Sequence, residues 1–385
     1  ALVTAAYVST ATSGGASVSA DLATALQAAG AFVISGDGVG TPANAGTVNW
    51  AFELDNSLTQ YLAHGETVTV TYRVTVTDDS GVNPASGDNE IDARTQDVTI
   101  TIVGNNDTPD LRVESGDSDR LDLTENNTQL GGSGKLTVTD IDLTDKVSAA
   151  VVGVTTGGTF DGIAEAGQGV VPSAADLLAM MTVTAGGIDA NEGTTNNLDW
   201  TFGSGAPGVF DFLAEGETLI LTYTIEVTDD SGATTGEPRT DTETVTVTIT
   251  GTNSQAVFGD PQSVSLTETD RQLRTEGQIV VQDADLSDID QVNVTVLNIT
   301  GSGANDNPLS QQDLSIMLTI TAANVQNTQN KTFDWVFESG ASGDAAFDFL
   351  REGQELVLTY SLEAIDQGQP SAQTTLTVTI IGTND

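Results

Sequence analysis

The sequence predicts an all-β molecule made of antiparallel β-sandwich domains joined in tandem. Three observations predict it. Long stretches alternate Thr with Val or Ile at period two, as in Thr67-Val-Thr-Val-Thr-Tyr-Arg-Val-Thr-Val-Thr77, Thr242-Glu-Thr-Val-Thr-Val-Thr-Ile-Thr250 and Thr374-Thr-Leu-Thr-Val-Thr-Ile-Ile381. That pattern is a half-buried strand, wet on its Thr face and apolar on the other. Short strands are punctuated by Gly, Asp and Asn turns, as sandwiches require. The third observation is a threefold internal repeat, the signature of an array of one unit.

In each copy a Trp opens the recurring segment: Asn49-Trp50, Asp199-Trp200 and Asp334-Trp335. It then passes a Gly65-Glu66, Gly216-Glu217 or Gly353-Gln354 pair and reaches Tyr72, Tyr223 or Tyr360, seven residues after the glycine in every copy. Six residues beyond the tyrosine lies an acid, Asp78, Asp229 or Asp366, and the last ladder ends at Gly104, Gly251 or Gly382. Before each Trp, Ser19-Ala-Asp-Leu22, Ser173-Ala-Ala-Asp-Leu177 and Ser310-Gln-Gln-Asp-Leu314 predict a serine-capped helix of one or two turns. The Trp, Phe and Tyr of each copy read as core, the tyrosines as corners bonding nearby backbone.

At 385 residues the chain suits three units of roughly 130 residues. The boundaries fall at about 1–107, 108–254 and 255–385. Copies two and three share a front half, Leu123-Thr-Glu125 before Asp140-Ile-Asp142-Leu-Thr-Asp145 and Leu266-Thr-Glu268 before Asp283-Ala-Asp285-Leu-Ser-Asp288. Copy one lacks it, so its first two strands are expected to be missing and its sheet edges open. Copy one starts mid-unit and the chain ends on Gly382-Thr-Asn-Asp385, as expected of a piece cut from a longer chain.

Composition excludes several functions. Eleven Lys+Arg face 55 Asp+Glu, for a net charge of −44. Such a surface repels phosphate backbones and anionic lipid, so neither nucleic acid nor a membrane surface is an expected partner. The acidity suits a saline habitat or a standing supply of divalent cations. There is no cysteine, so stiffness must come from packing or metal. No stretch of about 18 apolar residues exists, and none is expected to cross a membrane as a helix.

The acids gather where units meet. In an antiparallel sandwich alternate turns lie at the same end. Asp140, Asp142 and Asp145, the hairpin pair Asp229 and Asp230, and the incoming linker with Asp107 and Asp110 should therefore converge on one junction. Glu125 falls at the far end beside the outgoing linker, with Glu268 its counterpart in the third copy. Asp283, Asp285, Asp288 and Asp366 repeat the arrangement at the second junction, with Glu125 and Glu217 approaching from the unit before. Asp78 and Asp79 are the hairpin acids of copy one. Converging carboxylates repel and splay apart unless a cation sits among them. Hard oxygen ligands in that number suit Ca²⁺ better than the stricter octahedron of Mg²⁺. Asp is also a favoured turn residue with no metal at all. Ser254 stands where the other linkers carry Asp107 and Asp385, which predicts a looser cation site at the second joint.

The Leu213-Ala-Glu-Gly-Glu-Thr-Leu219 stretch, the Tyr-x-Ile/Val-x-Val-Thr-Asp-Asp-Ser-Gly hairpin and the Ile-x-Gly-Thr-Asn-Asp ending together resemble VCBS-type Ig/cadherin-like repeats. Those repeats fill the middle of large bacterial repeats-in-toxin, biofilm-associated surface adhesins. The resemblance covers copies two and three and the latter part of copy one. It implies secreted, cell-surface extender domains whose joints are stiffened by calcium. The Gly-Gly-x-Gly-x-Asp nonapeptides of the β-rolls that end such adhesins are absent.

No enzyme is expected. His64, the single histidine, becomes Glu215 and Glu352 in the other copies, so it reads as a variable turn position. Zinc lacks its usual Cys and His ligands, and the Gly36–Gly40 loop has no following helix to cradle phosphate. The leading expectation is an extender region whose partners are the neighbouring repeats of the same chain. It would project a distal ligand-binding domain from the cell surface. Two alternatives stay open: a glycan-binding module using the Gly157–Gly169 and Gly186–Thr195 loops, and a subunit of a polymer completed by a neighbour's strand.

Overall fold

In a computed structural model of the protein, the residues described are 2–35, 46–77, 93–160, 171–184, 186–190, 194–231, 239–287, 289–321, 329–340, 345–367 and 369–384. The fold is all-β, as the alternation predicts. Three separate apolar cores follow one another along the chain, one for each copy.

The second unit shows the complete plan. One sheet orders its strands Ile188–Asp189, Lys146–Gly158, Thr218–Asp229, Thr240–Thr250 and Arg120–Thr124. The other orders Met181–Val183, Leu198–Gly203, Gly131–Thr139 and Asp110–Arg112. Inward residues of both sheets meet in the core, Trp200 and Phe202 from one, Tyr223 and Val247 from the other. Burying a ring of that size is worth about 2 kcal/mol or more. Most pairings are antiparallel. Arg120–Thr124 instead runs parallel to Thr240–Thr250, and Gln262–Thr267 runs parallel to Gln369–Ile381 in the third unit. The sandwich is therefore mixed, because the chain crosses between sheets before it enters this edge.

The short helices form where their serines predict: Ala20–Gln27, Ala174–Ala179 and Gln311–Ser315. Ser173 with Asp176 and Ser310 with Asp313 make reciprocal capping boxes, satisfying helix N–H groups that have no carbonyl partner within the helix. Each tyrosine hydroxyl donates to a carbonyl of this helix: Tyr72 to Leu26 at 2.7 Å, Tyr223 to Leu177 and Tyr360 to Leu314 at 2.8 Å. The acceptor lies 46 residues upstream in each case, so the contact ties helix to sheet and is not a local corner.

Gly104, Gly251 and Gly382 end the last strand of each unit for a steric reason. A Cβ on any of them would fall 2.3–2.4 Å from a carbonyl oxygen of Ala63, Ala214 or Arg351. The Gly251 N–H bonds Glu217 O at 2.8 Å and the Gly216 N–H bonds Gly251 O at 3.2 Å, and the other units repeat this clamp. The linker to the next unit leaves from that fixed point.

The first unit is smaller. Its sheets are Leu2–Ser13, Thr67–Thr77, Ala93–Val103 and the pair Phe32–Ser35, Asn49–Phe52. Among the described residues it has no counterpart of Asp110–Arg112, Arg120–Thr124 or Gly131–Thr139.

Candidate metal centres at the unit junctions

The first junction is built from four places in the sequence. The linker supplies Asn106 and Asp107, the turn after Gly131–Thr139 supplies Asp140, Asp142 and Asp145, and the hairpin after Thr218–Asp229 supplies Asp229 and Asp230. Glu66 comes from the preceding unit. The Asp107 N–H donates to Asp142 Oδ2 at 2.8 Å, and Asn106 Nδ2 reaches Asp229 Oδ2 at 3.3 Å. The Asp142 N–H folds the turn back onto Asp140 Oδ1 at 3.0 Å. Across the joint, Thr144 Oγ1 donates to Glu66 Oε1 at 3.0 Å and the Leu143 N–H to Tyr61 O at 3.3 Å. Asp230 Oδ1 accepts the Lys146 N–H at 2.7 Å.

These carboxylates are buried: Asp140, Asp142, Asp145, Asp229 and Glu66 are all under a tenth exposed. Asp142 is pushed up to about 7, by burial first and then by repulsion from Asp140, Asp107 and Asp145, against the lowering pull of the Asp107 N–H. Burial, then Asp145, Asp229 and Asp107, push Asp140 up to about 6. Asp145 is pushed to about 6 by burial and by Asp229, Asp230 and Glu66, with Arg239 pulling the other way. Arg239 Nε donates to Asp229 Oδ1 at 3.2 Å and is the cation beside the group.

The second junction repeats the main hydrogen bonds of the first. The Ser254 N–H donates to Asp285 Oδ2 at 2.8 Å, and Asn253 Nδ2 reaches Asp366 Oδ2 at 3.3 Å. The Asp285 N–H bonds Asp283 Oδ1 at 2.9 Å. Across the joint, Ser287 Oγ donates to Glu217 Oε1 at 2.9 Å and the Leu286 N–H to Phe212 O at 3.2 Å. Ser254 keeps the backbone role of Asp107 and loses only the carboxylate. Glu125 sits where expected, its Oε2 accepting Thr252 Oγ1 of the outgoing linker at 2.7 Å. Beside it, burial and the Glu125 carboxylate push Asp211 up to about 6.

The donor set fits a hard divalent cation. Asp140 Oδ2, Asp142 Oδ1 and Asp145 Oδ2 at the first joint, and Asp211 Oδ1 and Asp366 Oδ1 at the second, are buried oxygens that accept no hydrogen bond from the protein. Such oxygens carry a desolvation cost of several kcal/mol unless something positive faces them. At the far end of the third unit, Glu268 Oε2 accepts Thr383 Oγ1 at 2.7 Å, repeating Glu125. Glu268, Asp270 and Asp348 are the one trio among the described residues whose ligand atoms all lie within 4.8 Å of one another.

Some expected members fall elsewhere. Asp110 begins a strand, turns outward and pairs with Arg112, because the linker has already passed the joint when it reaches that residue. Asp78, Asp79 and Asp288 lie outside the described residues, as do most of the Gly157–Gly169 loop and part of Gly186–Thr195. Glu66 and Asp211 join the junctions without being among the acids expected there. Both carried a signal, Glu66 as the repeated Gly-Glu pair and Asp211 as the Phe-Asp-Phe that recurs at Phe347-Asp348-Phe349.

No family model matches the sequence, and no curated protein matches it. Solved structures similar to it include protocadherin gamma B2 extracellular cadherin domains 1–5, at 12% identity and TM-score 0.37, covering 100% of this chain and 53% of that one. Mouse protocadherin-24 EC1-3 is similar at 15% identity and TM-score 0.32, covering 91% and 90% of the two chains. The human desmocollin-1 ectodomain is similar at 15% and 0.28, covering 92% and 55%. The chain spans about half the length of the first of these. The all-β assignment stands on the strand pairing above and takes nothing from these superpositions.

Proposed function

We propose that the chain is a structural extender: tandem sandwiches held in line by divalent cations, best Ca²⁺, at their joints. It projects a distal ligand-binding region from a bacterial cell surface and performs no catalysis. One observation carries the reading. At the first joint buried oxygens of Asp140, Asp142 and Asp145 that accept no hydrogen bond gather beside Asp229, with Glu66 facing the turn from the unit before; at the second, such oxygens of Asp366 and Asp211 lie at the joint whose turn Glu217 faces from the unit before.

At the first joint Glu66, Asp107, Asp140, Asp142, Asp145 and Asp229 would hold the ion. At the second, Glu125, Asp211, Glu217, Asp283, Asp285 and Asp366 would. Bound there, the ion supplies the positive charge that turns mutual repulsion into a clamp. The residues do the rest. The Asp107 and Ser254 N–H groups pin each linker to the turn. Thr144 and Ser287 pin the turn to the preceding unit.

A ligand bound only by the folded, aligned form raises stability by mass action. Added calcium is therefore expected to raise the melting temperature and to lengthen the particle in small-angle scattering. Superimposable scattering profiles in chelator and in millimolar calcium would sink the proposal.

A further inference from the structure

The third unit carries a group of carboxylates that neither joint uses. Glu268 follows the edge strand Gln262–Thr267, Asp270 lies two residues on, and Asp348 sits in the Phe347-Asp348-Phe349 turn. One carboxylate oxygen of each lies within 4.8 Å of the other two. The strand Arg274–Gln282 runs from this loop to Asp283, so the group stands at the opposite end of the unit from the second joint.

Glu268 is fixed in place by the fold itself. Its N–H bonds Ile381 O at 2.8 Å, and its Oε2 accepts the Thr383 Oγ1–H at 2.7 Å and the Thr383 N–H at 3.3 Å. The residue is 1% exposed, and its Oε1 is buried and accepts no hydrogen bond. A carboxylate oxygen kept dry and bare is tolerated only when something positive faces it. Three carboxylates this close also repel one another.

The second unit shows what the third adds. Glu125 and Asp211 stand where Glu268 and Asp348 do, and Glu125 takes Thr252 as Glu268 takes Thr383. Asn127 stands where Asp270 does. One proton can serve a pair of carboxylates, but it leaves a trio with two like charges. All the donors are hard oxygens, which suit calcium and its neighbours over the transition metals. A separation of up to 4.8 Å fits across one calcium shell, whose opposite ligands stand about 4.6–5.2 Å apart. Backbone carbonyls and water would complete the shell of about six to eight oxygens.

We propose that the third unit holds a Ca²⁺ ion of its own between Glu268, Asp270 and Asp348, separate from those at the joints. The ion fastens the end of the parallel edge strand to the Phe347-Asp348-Phe349 turn, and through Glu268 to Thr383. All three ligands belong to one unit, so binding needs no second unit aligned against it. The site stands or falls independently of the joint sites.

The test is calorimetric titration of the chelator-treated full chain with Ca²⁺, for the parent, Asp270→Asn, Asp348→Asn and Glu268→Gln. Each substitution keeps the shape of the side chain, and the glutamine oxygen can still accept the Thr383 Oγ1–H. The expected result in all three is one ion fewer per chain, or one binding event weakened about tenfold or more, with melting in chelator unchanged or raised. A chain carrying Asp142→Asn and Asp285→Asn separates this site from the joints: the event should persist there and be removed by adding Asp270→Asn. If those joint substitutions leave the titration unaltered while Asp270→Asn still removes one ion, the joint reading fails and this site stands. An unaltered ion count and affinity in Asp270→Asn and Asp348→Asn overturns the proposal. So does a loss confined to Glu268→Gln, which would make that residue a clasp for Thr383 and nothing more.

Discussion

Leu143 and Leu286 stand at the same place in successive copies, directly after the Asp-x-Asp of the junction turn, yet Leu143 is 49% exposed and Leu286 is 2% exposed. Leu286 belongs to the third unit by sequence but joins the core of the second. The difference lies in what each meets. The end of the second unit presents Phe210-Asp211-Phe212, whose rings are buried, whereas the first presents Thr59-Gln60-Tyr61. Tyr61 spends its hydroxyl on Ser17 O at 2.7 Å. The second joint therefore has an apolar peg that the first lacks.

Leu286→Ala should therefore cost about 2–4 kcal/mol by the usual range for a buried leucine. Leu143→Ala should stay within about 0.5 kcal/mol, as exposed sites do. Denaturant unfolding of the two variants in chelator measures both, and equal costs would show that the peg is not specific to the second joint.

Without metal, pH should act on the first joint with an unusual sign. Asp140, Asp142 and Asp145 are raised in the folded chain to about 6, 7 and 6 from an ordinary 3.8. A raised acid binds its proton more tightly folded than unfolded, so its stabilisation is complete below about pH 4 and is lost as pH rises through about 6–7. In chelator, thermal stability is expected to fall between about pH 4 and pH 7 by this contribution. In excess calcium the trend should reverse, since protons then compete with the ion. The same slope in both conditions would refute this assignment.

Asp142→Asn should separate the two roles of that residue. The amide oxygen can still accept the Asp107 N–H that Asp142 Oδ2 takes at 2.8 Å, while one buried charge is removed. The expected outcome is a higher melting temperature in chelator, together with calcium affinity at that joint lower by about tenfold or more, the scale on which ligand charge count tunes such sites. Calorimetric titration of the variant reads both. Unaltered affinity would remove Asp142 from the ligand set.

Ser254→Asp restores at the second joint the carboxylate that Asp107 gives the first. Tighter calcium binding at that joint is expected, with melting in chelator unchanged or lowered by the added repulsion. A titration indistinguishable from the parent would mean that the linker side chain takes no part.

Gly251→Ala should be among the most damaging small changes in the chain. Its Cβ would sit 2.3 Å from Ala214 O, a backbone atom that cannot swing aside. Overpacking of this kind costs about 1–3 kcal/mol. Denaturant unfolding measures it, with Gly203→Ala as the comparison, where a Cβ meets nothing within 4 Å.

The sequence by itself determined the strands, the capped helices and the presence of acids at the joints. Each of these is local: period-two alternation, Ser-to-Asp spacing and turn residues act within a few positions and repeat three times. It also placed Asp107, Asp140, Asp142, Asp145 and Asp229 together, because strand direction alternates and fixes which turns share an end. Glu217, facing the second joint from the unit before, was likewise legible, but only the tertiary structure added Glu66 at the first joint and Asp211 at the second. Glu66 enters through a contact across the joint with Thr144 and Asp211 through its packing beside Glu125, which no period encodes. The parallel edge strand and the burial of Leu286 against the exposure of Leu143 were likewise settled by packing across sheets and units.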